Sequence, residues 1–179
     1  MLLKATGWLR RKWRPMLIHG SIIAAFVACC LFVSDPLFDR LEVVAGESNR
    51  LSIKLPSETD NLRQNLHEVR GGTYVAEIRG WAFIDGHTCD NDRVCIVLES
   101  DERTYVFDTM TEVREDVTSA YGGEGLNLDH SGLICNIPSR AVKAGDYIVG
   151  VYVEDGDARA FQRTHIHLVK SATGLAFIS

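Results

Sequence analysis

The chain reads Y-I-V-G-V-Y-V-E-D-G-D-A-R-A-F-Q-R-T-H-I-H-L-V from Tyr147 to Val169. Tyrosine and valine fall at every second position of its first half, and this alternation predicts a strand with one buried face. Asp155-Gly156 is a signal for a two-residue turn, because both residue types tolerate a positive φ. Residues 159–169 then return as a second strand. The segment therefore predicts a β-hairpin.

Segments of the same kind lie before this hairpin. Four runs rich in β-branched and aromatic residues, each bounded by polar residues, Gly or Pro, predict further strands: 74–78, 94–99, 104–108 and 133–137. Residues 62–69 fit either a helix or a strand, and Gly71-Gly72 after them favours a hairpin. Residues 110–121 form a long connection that includes at most a helical turn. Six or more strands with little helix predict an all-β domain, an antiparallel immunoglobulin-like β-sandwich.

Charge is distributed unevenly along the 179 residues. Residues 1–34 carry five basic side chains and no acidic one, which leaves 14 basic and 24 acidic side chains, a net charge of −10, for the rest of the chain. Such an acidic body argues against nucleic acid as a partner, since phosphate backbones attract basic surfaces. The residues after 34 are numerous enough for one domain with a real core, but hardly for two.

An apolar segment follows the basic N-terminus. Residues 16–33 read M-L-I-H-G-S-I-I-A-A-F-V-A-C-C-L-F-V without a formal charge. Eighteen helical residues rise about 27 Å, close to the thickness of a bilayer core. Basic residues before the segment predict a cytoplasmic N-terminus. We therefore expect an uncleaved signal anchor, with a cleaved signal peptide or a lipoprotein signal at Cys29 as the alternatives.

This interpretation divides the chain into five parts. They are a cytoplasmic basic segment (1–15), a transmembrane signal anchor (16–34), a stem (35–60), an extracytoplasmic β-sandwich (61–170) and a C-terminal tail (171–179). The expected location is the inner membrane, with the C-terminal domain in the periplasm. Within the anchor, Gly20, Ala24 and Ala28 recur every fourth residue, a spacing that lets membrane helices approach each other closely.

Short motifs along the predicted sandwich resemble those of a known group of proteins. They are I-R-G-W-A-F-I-D-G (Ile78–Gly86), V-L-E-S, T-Y-V-F-D-T (Thr104–Thr109), R-E-D-V, L-D-H-S-G-L and A-G-D-Y-I-V-G-V-Y (Ala144–Tyr152). In this order they resemble small β-sandwich modules with a G-W-A-F motif in poorly characterised bacterial envelope proteins, some linked to surface-polysaccharide machinery. The resemblance covers residues 74–155. It implies an envelope protein with a sandwich fold and brings no catalytic residues.

The loop that follows the G-W-A-F motif contains cysteine and acidic residues. Cys89 and Cys95 bracket a short loop that an oxidising compartment would close as a disulfide. Cys135 instead shares an apolar strand face and is expected to be buried. Four side chains of this loop have oxygen or nitrogen atoms that could bind calcium: Asp85, His87, Asp90 and Asp92. Since acidic turns are usually solvated, no bound cofactor is expected.

Two histidines on one strand are weak candidates for a metal site. His165 and His167 are two residues apart and therefore point to the same face, as metal ligands on strands do. His130 is the third candidate ligand. Arg163 shares the face of the pair, which favours a solvent-exposed stripe over a zinc or iron site.

Trp81 and Phe83 are the main candidates for ligand binding. One interpretation makes Trp81 the central packing residue of the sandwich. The other makes it an open aromatic platform that stacks a sugar ring, which needs the flat face of the ring exposed. The polar candidates for contacts to such a ligand are Asp85, Arg114 and Asp116, of which the last two could instead form a structural ion pair.

The sequence contains no nucleophile elbow, phosphate-binding glycine loop or paired-carboxylate motif. We therefore predict a protein without enzymatic activity, a membrane-anchored accessory subunit of an envelope complex that acts through protein–protein contacts in surface-polysaccharide assembly or export. The expected partner is a membrane protein or a second copy of the chain. The alternative is a membrane-tethered carbohydrate-binding module.

Overall fold

The computed structural model describes residues 19, 21–29, 50–123 and 125–178. The chain divides into two units, residues 1–42 and residues 43–179. The predicted cytoplasmic segment, most of the predicted stem and Gly20 lie outside the described residues.

The first unit corrects the predicted membrane segment. Its described helical residues are His19 and Ser21–Cys29. Among the described residues, no helix is both long and apolar enough to cross a membrane. This finding contradicts the predicted transmembrane helix at 16–34, whereas the helix packing predicted for Gly20, Ala24 and Ala28 is not tested and stays a prediction.

The described part of the second unit is built from strands, which confirms the all-β prediction. The strands are β1 (Arg50–Leu51), β2 (Leu62–Arg70), β3 (Val75–Ile84), β4 (Arg93–Glu99), β5 (Thr104–Asp108), β6 (Met110–Glu112), β7 (Gly132–Pro138), β8 (Gly145–Asp155), β9 (Ala158–Ser171) and β10 (Gly174–Ile178). Sheet A has the spatial order β1-β5-β4-β8-β9-β10, and sheet B has the order β2-β3-β7-β6. All of these pairings are antiparallel. The finer, immunoglobulin-like assignment stays a prediction.

The hairpin over 147–169 forms as predicted, with a shift in its turn. β8 and β9 pair as far as Asp155 and Ala158. The two-residue loop is therefore Gly156-Asp157, one residue later than the sequence suggested, and Gly156 takes the positive φ of 58°. The alternating apolar side chains of β8 point into the core as expected.

One hydrophobic core lies between the two sheets. It collects the inward-facing side chains of strands from both sheets, among them Ile78, Ile96, Phe107, Val151 and Leu168. Since successive side chains of a strand point to opposite faces, each sheet also has an outer face. Each outer face carries a smaller buried cluster of its own.

Residues 51–59, which we call the crossing segment, cover part of the outer face of sheet A. Three apolar side chains of this segment pack against the buried cluster on that face: Leu51, Ile53 and Leu55. At one side of the sheet β1 pairs with β5. Towards the other side, Thr59 exchanges hydrogen bonds with the backbone of Phe161 in β9. This part of the predicted stem therefore belongs to the sandwich.

The chain after residue 170 also belongs to the sandwich. β10 pairs with β9 from Gly174 opposite Ser171 to Ile178 opposite His167. Leu175 is buried in the core, and its N–H donates a 2.9 Å hydrogen bond to the carbonyl of Gly72. The sandwich extends past the predicted boundary because the apolar run G-L-A-F-I pairs as an edge strand.

Candidate functional site

The outer face of sheet B carries the predicted ligand-binding residues. On β3, Trp81 and Phe83 point outward because their neighbours in sequence point into the core. Gly132 of β7 lies opposite Trp81 in the register. A Cβ at Gly132 would overlap the carbonyl oxygen of Glu112 and the Cγ atom of Arg114. The absence of a side chain there lets neighbouring groups close over the sheet beside Trp81.

Three aromatic rings form a cluster on this face. Trp81 and Phe83 stack with 5.6 Å between ring centroids, and Tyr121 tilts over both, at 5.2 Å from Trp81 and 5.9 Å from Phe83. Only 9% of Trp81 and 3% of Phe83 is exposed, whereas Tyr121 is 53% exposed. Trp81 therefore lies outside the main core, yet it is covered rather than open to solvent.

Residues 113–123 and 125–129, which we call the cover loop, bury the two inner rings. The loop includes a short helix, Glu115–Tyr121. Val117 on this helix and Leu128 beyond it are fully buried in one cluster with Trp81 and Phe83. The connection predicted to include at most a helical turn thus contains a seven-residue helix and forms a structured lid on the outer face of sheet B.

Hydrogen bonds close the cover loop upon itself. The Arg114 N–H donates to the Asp129 carbonyl at 2.7 Å, which joins the two ends of the loop. The Thr118 hydroxyl donates to the Asp129 carboxylate at 2.5 Å and accepts a hydrogen bond from the Leu128 N–H at 2.9 Å. These bonds satisfy backbone groups that burial would otherwise leave without partners.

Two arginine–carboxylate pairs flank the aromatic cluster. Arg63 lies opposite Phe83 in the register and bonds to Asp85 at 2.9 Å. Arg114 binds both carboxylate oxygens of Asp116, at 2.8 and 2.6 Å, and this bonding lowers the pKa of Asp116 from its usual value. The structure therefore brings all the predicted ligand-binding residues to one face.

Arg79 is the centre of a larger charged network on the same face. Its guanidinium lies 3.0 Å from Glu77, 3.4 Å from Glu112 and 3.9 Å from Glu68. These carboxylates raise the pKa of Arg79, chiefly because Glu77 accepts a hydrogen bond from it. The ion pairs fix the orientation of a long side chain that would otherwise move freely in solvent.

The loop between β3 and β4, residues 85–92, holds the cover loop from the side. The Cys89 N–H donates to the Asn127 carbonyl at 2.8 Å, and the Asn127 side chain donates to Asp90 at 3.3 Å. His87 lies 2.8 Å from Asp155. Three of the four groups considered as calcium ligands, Asp85, His87 and Asp90, thus bond to other residues. Nowhere in the described ranges do three or more side chains form a group suited to a metal ion.

Asp92 differs from the other carboxylates of this loop. Both of its oxygens are buried, and the one neighbouring donor among the described residues is the Cys89 thiol, a weak donor. Burial raises the pKa of Asp92 from 3.8 to about 6, with smaller contributions from the carboxylates of Asp155 and Asp90. The Cys89 thiol and His87 offset part of this rise. The charged form of Asp92 is therefore costly at neutral pH.

The predicted disulfide between Cys89 and Cys95 is not formed, and both residues are free thiols, as is Cys135. Cys89 belongs to the cluster around Trp81 on sheet B, whereas Cys95 belongs to the cluster on the outer face of sheet A. Burial raises the pKa of all three thiols, that of Cys95 to about 12. Neutral thiols are poor nucleophiles and poor metal ligands.

The three histidines considered for a metal site lie on different sheets. His165 and His167 are exposed on β9 of sheet A, and His130 lies in the single turn Asp129–Ser131 that precedes β7 of sheet B. The sequence predicted that His165 and His167 share a strand, but it gave no information about which sheet lies next to His130.

Sequence reasoning missed Tyr121 and Asn127. Tyr121 follows Val117 by four residues, a spacing that places both on one face of a helix, and this was the available signal. No sequence signal pointed to Asn127, because its hydrogen bonds join two loops that are distant in the sequence.

The face as a whole combines a half-exposed aromatic ring with arginines held in place by carboxylates, groups that can stack on a ligand and hydrogen-bond to it. No family model, no curated protein and no solved structure matches this chain.

Proposed function

We propose that this protein is a non-enzymatic accessory subunit whose sandwich binds a protein partner through the outer face of sheet B. The observation that supports this is the combination of arginine and aromatic side chains on one face, since Tyr, Trp and Arg are enriched at the centres of protein interfaces. We define the binding face by its half-exposed and exposed side chains: Arg63, Arg79, Met110, Val113, Arg114 and Tyr121.

Three apolar side chains of the binding face are largely open to solvent. Met110 is 56% exposed, Val113 59% and Tyr121 53%. Single exposed apolar residues are common on protein surfaces, but a group on one sheet and its cover loop is typical of an interaction site. Burying these side chains against a partner would supply hydrophobic free energy, while the arginines would supply directional contacts.

The two sheets differ in what covers them. The crossing segment covers the buried cluster on the outer face of sheet A, so this part of the sheet is already occupied by a segment of the same chain. The binding face on sheet B has no such second layer among the described residues beyond the cover loop, which is part of the face. A partner would therefore find its contacts on sheet B.

The setting we propose is a bacterial envelope complex involved in surface polysaccharide. It is supported by the resemblance over residues 74–155 and by the acidic body, which does not favour nucleic acid. The absence of activity is supported by the cysteines, whose raised thiol pKa values do not suit nucleophilic catalysis.

Site-specific photocrosslinking in the native host tests this proposal. A benzoylphenylalanine replaces Tyr121 in one variant and Lys54, an exposed residue of the crossing segment, in the other. We expect one discrete crosslinked species at position 121, identified by mass spectrometry as a protein of the surface-polysaccharide apparatus, and no such species at position 54. Equal crosslinking at both positions, or none at 121, would contradict the proposal.

Carbohydrate binding is the second candidate, and the half-exposed ring of Tyr121 is the observation that favours it. The Arg114–Asp116 pair nearby offers the polar groups that sugar hydroxyls require. Titration with cell-surface oligosaccharides, followed by calorimetry, tests this candidate. Saturable binding that is lost in Tyr121→Ala supports it, and identical heats for the two proteins would rule it out.

A further inference from the structure

The buried carboxyl group of Asp92 lies in the loop that holds the cover loop in place. The Cys89 N–H and the Asp90 carboxylate, both in the β3–β4 loop, bond to Asn127 of the cover loop. The Cys89 side chain belongs to the cluster around Trp81. Any movement of this loop that brings Asp92 into water therefore strains the junction between the two loops.

The groups around Asp92 make its charged form unfavourable in this position. Its oxygens are buried, and the Cys89 thiol, which burial keeps neutral, is the one neighbouring donor among the described residues and only a weak one. The charged groups that act on it are the carboxylates of Asp155 and Asp90, with His87 acting in the opposite direction. Asp155 already has His87 as its partner at 2.8 Å. Protonation of Asp92 removes the free-energy cost of burying its charge, and exposure of the carboxylate to water removes it as well.

We propose that the β3–β4 loop and the cover loop form a proton-operated latch on the binding face: a protonated Asp92 keeps the latch closed over Trp81 and Phe83, and loss of this proton favours opening. Opening breaks the hydrogen bonds between Asn127 and the β3–β4 loop, moves Tyr121 away with the cover loop and exposes the two inner aromatic rings on sheet B. This inference rests on the proposed function only in assigning the exposed rings to partner binding.

The size of the effect follows from the proton affinities of the two states. The closed state holds the pKa of Asp92 at about 6, against 3.8 for the solvated group. Because the open state binds the proton more weakly, the opening equilibrium must rise with pH. Between pH 5 and pH 7.5 these values correspond to a roughly tenfold increase in the opening constant.

Hydrogen exchange of the full chain, measured by mass spectrometry at pH 5 and pH 7.5, tests the latch. After correction for intrinsic exchange rates, we expect amides of the cover loop and of residues 85–92 to lose about tenfold in protection at the higher pH. In Asp92→Asn this pH dependence should disappear. Asp101→Asn, which removes an exposed carboxylate from the turn after β4, is the matched control and should behave like the wild type.

Two results would overturn the inference: equal protection at both pH values in the wild type, or an unchanged pH dependence in Asp92→Asn. The exchange experiment contains no partner, so its result is independent of the crosslinking experiment. A pH-dependent latch without a crosslink at position 121 would refute the proposed function alone, whereas a crosslink without the latch would refute this inference alone.

Discussion

Two buried serines, Ser131 and Ser139, differ in whether the hydroxyl has a hydrogen-bond partner. Substitution by alanine should therefore change the stability of the protein in opposite directions at the two positions. Ser131 is fully buried and its hydroxyl has no hydrogen-bond partner in the described structure. Ser139 is 4% exposed, and its hydroxyl accepts a hydrogen bond from the Lys170 ammonium at 2.5 Å. A buried polar group without a partner costs about 1–3 kcal/mol, whereas a hydrogen bond to a charged group contributes about 1.5–3 kcal/mol.

Ser131→Ala should therefore stabilise the protein. Removing the hydroxyl relieves the desolvation cost, and the loss of packing from one small oxygen offsets part of the gain, so we expect an increase of about 1 kcal/mol in the free energy of unfolding. Ser139→Ala should lower that free energy by about 1–2 kcal/mol. Urea unfolding followed by circular dichroism measures both. A destabilised Ser131→Ala protein would show that the hydroxyl has a partner and would refute the reasoning.

Three further predictions concern the fold. Gly132→Ala should lower the free energy of unfolding by about 2 kcal/mol or more in thermal or urea unfolding, because the added Cβ overlaps the backbone of Glu112; full stability would contradict the close approach. Leu175→Ala should cost about 2–4 kcal/mol in the same assay if β10 is part of the core, whereas a mobile tail would tolerate it. In the folded protein, a thiol reagent should leave Cys89 and Cys95 unmodified until denaturant is added, and both should then react without prior reduction; a requirement for reductant would restore the disulfide.

The strands could be predicted because their signal is local. β8 needs only the alternation of its own side chains to be identified, and the same holds for β4, β5 and β7. The Gly71-Gly72 signal also led to the correct hairpin, but for another reason. Neither glycine has a positive φ. Side chains are excluded there because a Cβ at Gly71 would overlap the carbonyl of Leu175, and one at Gly72 that of Val75.

The environment of the site could not be predicted because it depends on contacts between distant residues. The alternation in β3 places Trp81 on one face of its strand, but two faces of a sheet are available to it. Only the arrival of Val117, Tyr121 and Leu128 decides that the outer face is buried. The membrane prediction rested on the apolar length of the sequence alone, and among the described residues no helix is long and apolar enough to cross a membrane.

The crossing segment on sheet A and the cover loop on sheet B differ in how they are bonded to the rest of the domain. The crossing segment includes Leu51 of β1, which pairs with β5, and Thr59 bonds to both backbone groups of Phe161. Releasing it would break sheet pairing. The cover loop makes most of its hydrogen bonds within itself, and its junction with the β3–β4 loop consists of hydrogen bonds to Asn127, near the buried carboxyl group of Asp92. Segments with few bonds to the rest of a domain open at the lowest free energy. If this sandwich exposes a buried surface to a partner without unfolding, the cover loop on sheet B is therefore the part that moves.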